Sequence, residues 1–158
     1  MGNGTLNNQP LISGVSCTPL KQIKDDRGGV YHHLNENSPT FIRFGESYIS
    51  KTVPGSIKAW KKHTKMTQNF CVPVGGFKFV LFDDRPDSPT PNMINEFILN
   101  GEDAYQLLSI PPDIWYGFEC ISEMPGIIVN IADIQHDPSE VLRLELDNPA
   151  IPYKWDLK

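Results

Sequence analysis

The sequence predicts an all-β fold, an antiparallel sandwich or small barrel with one short C-terminal helix. Three observations carry this. Fourteen prolines and twelve glycines punctuate the 158 residues almost throughout. No long window shows the spacing of an amphipathic helix. The segments between the punctuation are short and rich in Val, Ile, Phe and Tyr, the composition of strands separated by turns.

Taken in order, residues 1–12 are mostly polar and are expected to be a flexible tail, with one domain over 13–158. Strands are expected at 47–53, 56–60, 69–72, 77–82, 93–99, 104–110 and 126–131. The clearest is 77–82. Phe77, Phe79 and Leu81 share one face and Val80 and Phe82 the other, so both faces should be at least half buried. The helix should span about 138–141. Asp137 is a candidate cap, Pro138 takes the first helical position, and Glu140 stands three after Asp137, as in a capping box.

Charge and cysteines exclude several functions. The net charge of −5 argues against general nucleic-acid binding, which needs a basic face. No apolar run approaches the ~18–20 residues of a membrane helix. The first residues carry neither a basic end nor an apolar stretch, so no secretory signal is expected. Cys17, Cys71 and Cys120 are odd in number and far apart, which fits reduced, buried thiols in a cytoplasmic protein.

One stretch locates a candidate site. Gly55 is followed by Lys61, His63, Gln68 and Gly75, and later comes Pro111-Pro112-Asp113-Ile114-Trp115-Tyr116. This spacing resembles the two motifs of cupins, G-x5-H-x-H-x3,4-E-x6-G and P-x-G-x-x-H, whose His and Glu residues hold a metal inside a β-barrel. Lys61, Gln68 and Tyr116 stand where ligands would be, and only His63 remains an imidazole. A protonated Lys cannot ligate, and one imidazole does not make a zinc or iron site. The expectation is a cupin-type β-sandwich or jelly-roll barrel with neither metal nor cofactor.

A narrower resemblance covers about 15–155. Its pieces are Asp26-Arg27-Gly28, Gly55-Ser56-Ile57-Lys58-Ala59-Trp60, Asp83-Asp84-Arg85, Ile110-Pro111-Pro112 with Trp115-Tyr116-Gly117-Phe118, and Ile151-Pro152-Tyr153-Lys154-Trp155. In this order and spacing the chain resembles the dTDP-4-dehydrorhamnose 3,5-epimerase family, metal-free cupins acting on nucleotide-linked 4-keto-6-deoxy sugars. In that family a His paired with an Asp removes a proton beside the keto group, a Tyr on the opposite face returns one, and cations stabilise the enolate. The chemistry needs a base poised near neutral pH and an oxyanion partner.

The carry-over makes this a divergent member. The family's R-G-L-H-x-Q stretch falls on Lys58-Ala59-Trp60-Lys61-Lys62-His63, so the Arg becomes Lys58, the catalytic His becomes Lys61 and the Gln becomes His63. A cationic Lys of the family falls at Gln68, and its acid Tyr at Asn130. Related 3,4-ketoisomerases use an H-x-H pair here, which reads Lys61-x-His63.

His63 is the first choice of base, since imidazole titrates near neutral pH. Lys61, two residues away, should share its face, either as a base or enolate cation or as a solvated member of the run 58–65. Tyr116 is read as a proton donor or as a packed aromatic. Candidate substrate contacts are Arg27, Lys58, Glu46, Tyr48, Gln68 and Asn130, with Trp60 and Trp115 either stacking on the substrate or packing the core. Arg27 suits a diphosphate through its planar fork and, in the family, reaches a neighbouring subunit; its alternative is a turn pair with Asp25 or Asp26. Arg85 is expected in a structural ion pair, and Asp133 is a candidate replacement carboxylate partner for a base.

The resemblance implies a cytoplasmic, homodimeric epimerase or keto isomerase acting on a nucleotide-diphosphate sugar, feeding deoxysugar and surface-polysaccharide synthesis. The alternative is a non-catalytic cupin that binds a nucleotide sugar or another small polar ligand.

Overall fold

The computed structural model describes residues 4–6 and 8–156. Its strands are β1 (Ser16–Pro19), β2 (Gln22–Asp25), β3 (Gly28–Tyr31), β4 (Glu46–Thr52), β5 (Ile57–His63), β6 (Gln68–Val74), β7 (Gly76–Phe82), β8 (Ile94–Asn100), β9 (Gln106–Ile110), β10 (Trp115–Cys120), β11 (Gly126–Ala132) and β12 (Val141–Arg143). Two five-stranded antiparallel sheets form, ordered β1-β9-β6-β11-β4 and β12-β5-β10-β7-β8, beside a separate β2-β3 hairpin. This is the expected sandwich. All seven expected strands form within three residues of their sequence-derived ends.

The two faces of β7 explain the layering. Phe77, Phe79 and Leu81 pack between the sheets with Phe70, Phe97, Leu108, Tyr116 and Phe118. Val80 and Phe82 face the other way, into a cluster with Trp60, Trp115, Ile151 and Trp155 that the C-terminal segment closes. Each such buried apolar side chain contributes roughly 1.5–3 kcal/mol. Both faces of β7 are thus buried, as the alternation indicated.

The C-terminal helix is shorter than expected. Pro138–Glu140 makes a single 3-10 turn capped by Asp137, whose Oδ1 accepts from the Ser139 N–H at 2.9 Å. Val141 is already extended and starts β12, which pairs with β5 from His63 to Lys61. The Glu140 side chain does not close a capping box; it turns inward.

Part of the 1–12 segment is anchored: Thr5 bridges to Phe97, and the buried Ile12 donates its N–H to Asn95 Oδ1 at 2.8 Å. Residues 1–3 and 7 lie outside the described residues. Arg85 makes its ion pair with the buried Asp83, Nε to Oδ1 at 2.8 Å. The three cysteines are buried free thiols. Burial pushes Cys71 up to about 11 and Cys17 up to about 12, so neither is a thiolate nucleophile at neutral pH. Among the described residues no helix is long and apolar enough to cross a membrane.

Candidate active site

The site begins with an irregularity between β5 and β10. Tyr116 lies opposite Lys61, but Phe118 lies opposite Lys58, so three steps on β5 face two on β10. The extra residue shifts the pleat by one position. Lys58 and Lys61, three apart, therefore share a face, together with Tyr116 and Phe118. Gly117 permits the close approach: a Cβ there would lie 2.3 Å from Ala59 Cβ.

That face lines a cavity of about 440 Å³. Tyr48 and Ser50 of β4, Lys58 and Lys61 of β5, Phe70 of β6, Tyr116 and Phe118 of β10, and Arg143 of β12 border it. Arg143 is the direct cross-strand partner of Lys61. Like charges placed opposite each other on a sheet repel. Among the described residues the side chains of Lys58, Lys61 and Arg143 have no hydrogen-bond or ion-pair partner. Burial, then the charges of Arg143 and Lys58, hold the Lys61 ammonium below the usual lysine range. An anion in this cavity would relieve that repulsion.

Two residues beyond Lys61, His63 closes β5 on the same face. It is buried, and its Nδ1 is bonded to Glu140 Oε1. The other Glu140 oxygen accepts the N–H groups of Lys65 at 3.0 Å and Met66 at 3.3 Å. Burial pushes the Glu140 carboxyl up, but the bonds from His63, Lys65 and Met66 outweigh it and leave the group below its usual range. Burial lowers His63, Glu140 opposes this, and the Lys61 charge adds to the lowering. The pair therefore rests as carboxylate and neutral imidazole, with the proton on Nδ1 and the lone pair on Nε2. The His63 ring stacks on Tyr116, 6.1 Å between centroids and 16° between planes. His63 does not itself border the open cavity; Tyr116 and Lys61 do.

Beneath the cavity Asn130 and Gln68 tie the two tyrosines together. Asn130 Nδ2 donates to Tyr48 Oη at 2.8 Å and to Gln68 Oε1 at 2.9 Å, and Gln68 Nε2 donates to Tyr116 Oη at 2.9 Å. The position that the resemblance gives to an acid Tyr thus holds an amide that supports two other tyrosines. Burial raises both phenols, Tyr116 the more strongly.

Other expected residues lie elsewhere. Trp60 borders the cavity, but its indole packs with Tyr153 and Trp155 and donates to Leu146 O at 3.2 Å. Trp115 stands on the outer face, its Nε1 on Asp84 at 2.7 Å and the Lys62 ammonium 4.8 Å over its ring. Glu46 accepts the His136 N–H at 2.7 Å, away from the cavity lining. Arg27, at the β2-β3 turn, pairs with Asp25 at 2.6 Å with its side chain 89% exposed. Asp133 does not meet His63: it accepts the Thr67 N–H at 2.7 Å, and Glu140 is the carboxylate on the imidazole.

Sequence reasoning missed Glu140 in this role, and Arg143 altogether. A signal for Arg143 was present. Leu142, Leu144 and Leu146 alternate with Arg143 and Glu145, a strand pattern that an expected helix ending at 141 obscured.

No protein-family model matches the chain. The chain is 36% identical over 146 residues to a probable low-salt glycan biosynthesis epimerase, Agl13, of Haloferax volcanii, covering 91% of this chain and 90% of that protein. A crystal structure of a dTDP sugar isomerase from Desulfovibrio desulfuricans G20 superposes with a TM-score of 0.89 at 42% identity, covering 92% of this chain and 95% of that one. The fold alone is shared with a dTDP-4-dehydrorhamnose 3,5-epimerase from Bacillus anthracis, at a TM-score of 0.81 and 18% identity over 98% of this chain and 90% of that one. With near full-length relatives at this level of identity, the chain belongs to the family of sugar-nucleotide epimerases and isomerases that contains them, and it is itself an isomerase.

Proposed function

We propose that this protein epimerises or keto-isomerises a 4-keto-6-deoxyhexose linked to dTDP or a similar nucleoside diphosphate, in deoxysugar and polysaccharide synthesis. The observation that carries this is the unpaired cation set Lys58, Lys61 and Arg143 around a cavity floored by Tyr116, with the His63–Glu140 dyad against that floor. Lys58 and Arg143 hold the diphosphate, and Tyr48 and Ser50 contact the sugar or its phosphates. Neutral His63 uses Nε2 to take the proton from the carbon beside the keto group. The C–H electron pair moves into the carbon–carbon bond, and the keto oxygen becomes an enolate. The Lys61 ammonium and the Tyr116 hydroxyl stabilise that oxygen. Return of a proton to the same carbon from the other face gives the epimer, and return to the neighbouring carbon after enediol tautomerisation moves the keto group. Glu140 holds the Nδ1 proton of His63 throughout and accommodates the imidazolium.

Imidazole from His63 is a sole donor beside Lys61, Gln68 and Tyr116 at the cupin ligand positions, a set suited to metal-free enolate chemistry. In a cytoplasmic homodimer, the exposed Arg27 would serve the partner's diphosphate.

The test is incubation in D2O with dTDP-4-keto-6-deoxyglucose, following the sugar C3 and C5 protons by NMR. Deuterium entering at either carbon is the expected result. A nucleotide sugar that binds without exchange would make the protein a binding module. No binding would turn the search to CDP and GDP sugars.

A further inference from the structure

The hydrogen bonds beneath the cavity have one direction, and a backbone group sets it. Asn69 N–H can only donate, and it donates to Asn130 Oδ1 at 2.9 Å. The Asn130 amide is thereby oriented, with Nδ2 toward Tyr48 and Gln68. Because Asn130 Nδ2 donates to Gln68 Oε1, the Gln68 amide is oriented too, and its Nε2 must face Tyr116. Tyr48 accepts from Asn130 and gives its own hydrogen to Gln68 Oε1 at 3.3 Å. Tyr116 accepts from Gln68, and its own hydrogen has no acceptor among the described residues. Tyr116 borders the cavity at the place directly opposite Lys61.

We propose that the Asn69 backbone amide, acting through Asn130 and Gln68, points the Tyr116 hydroxyl hydrogen into the cavity, making Tyr116 the hydrogen-bond donor to the enolate oxygen. This rests on the functional reading above and deepens it. Gln68 and Asn130 are positioning residues, and Tyr116 is the catalytic residue that they aim. Tyr48 cannot take its place, because its hydrogen is already committed to Gln68. A buried phenol that stays protonated suits this work: it donates a hydrogen bond without giving up the proton. The arrangement also gives a reason for an amide at position 130, where a Tyr would leave Gln68 free to turn over.

The direction can be reversed without touching Tyr116. In Gln68→Glu the carboxylate has no hydrogen to donate, so Tyr116 must donate to it and loses its cavity-facing hydrogen. Asn130→Asp does the same from one step further away: Gln68 turns its Nε2 toward the new carboxylate and its Oε1 toward Tyr116. Turnover of dTDP-4-keto-6-deoxyglucose would be measured for both variants, for Tyr116→Phe, and for the Gln68→Glu/Tyr116→Phe double variant. Loss of one oxyanion donor lowers kcat by about 10²–10³-fold. That loss is expected in each single variant with little change in KM, and the double variant should be no slower than Tyr116→Phe alone. Variants at either Gln68 or Asn130 with wild-type kcat would overturn the directional role, as would losses that multiply in the double variant. A wild type that binds the nucleotide sugar but shows no exchange would overturn the functional reading itself, and the oxyanion role with it.

Discussion

Glu140 accepts the Nδ1 hydrogen of His63 across 77 positions of sequence, and this contact joins the end of β5 to the turn that starts β12. The carboxylate takes two backbone N–H groups as well, so its position does not depend on the imidazole alone. It can therefore hold His63 in one tautomer while Nε2 gains and loses a proton.

Replacing Glu140 with Gln should reverse that tautomer. The amide would keep its oxygen on the Lys65 and Met66 N–H groups and offer its NH2 to Nδ1, moving the imidazole proton to Nε2. Exchange should fall by about 10²–10⁴-fold, the usual contribution of a general base. Glu140 raises the His63 value in the folded protein, so its removal should also shift any residual acid limb of kcat/KM to lower pH. An unchanged limb and rate would detach Glu140 from catalysis.

Acid stability should follow the same pair. His63 lies below its ordinary value of about 6.5 in the folded protein, so the unfolded chain binds more protons. Its contribution is complete above that value and is lost as pH falls through the lowered folded one. Glu140, also lowered, adds a second loss below about 4.5. Urea unfolding between pH 8 and 4 should show stability falling with pH, and His63→Asn should flatten the upper part of that slope.

Arg143 should act on binding rather than on chemistry. Arg143→Gln removes one charge-assisted contact, worth roughly 1.5–3 kcal/mol at best and less at an exposed site, so KM for the nucleotide sugar should rise about tenfold. The Lys61 value should move upward in the variant, because Arg143 is one of the charges holding it down. Titration of Lys61 by NMR, beside steady-state kinetics, checks both.

Gly117 should matter to fold and site together. In Gly117→Ala the new methyl meets Ala59 Cβ at 2.3 Å, on the segment that brings Lys58 and Lys61 to one face. Overpacking of this kind costs about 1–3 kcal/mol. Thermal unfolding should drop and kcat with it, and Ala59→Gly in the same chain should restore much of both.

The sandwich was legible because its central strands carry their own pattern: residues 77–82 are apolar on both faces and bounded by turn residues. Strand β10 was harder. It is buried along its whole length, and Gly117 within it weakens the strand signal even though the close approach to β5 requires it. In the site, Lys61 and His63 share a face by strand alternation, which needs only local geometry. Lys58 joins them through a shifted register that no local pattern announces. Glu140 three residues after Asp137 reads as a capping partner, a local role, whereas its actual partner lies on another strand. Asn130 and Gln68 read as replacements for family groups, and only the hydrogen bonds between them show what they support.

The division of labour between His63 and Lys61 is tested most directly by solvent exchange in variants. His63→Asn and Lys61→Met would be incubated with dTDP-4-keto-6-deoxyglucose in D2O from pH 5 to 9, and the C3 and C5 protons followed by NMR. With His63 as the base, His63→Asn should lose exchange at every pH. Lys61→Met should retain a slower exchange whose acid limb moves to higher pH, because the Lys61 charge lowers His63. Full exchange by His63→Asn, with none by Lys61→Met, would make the lysine the base and contradict the dyad's role.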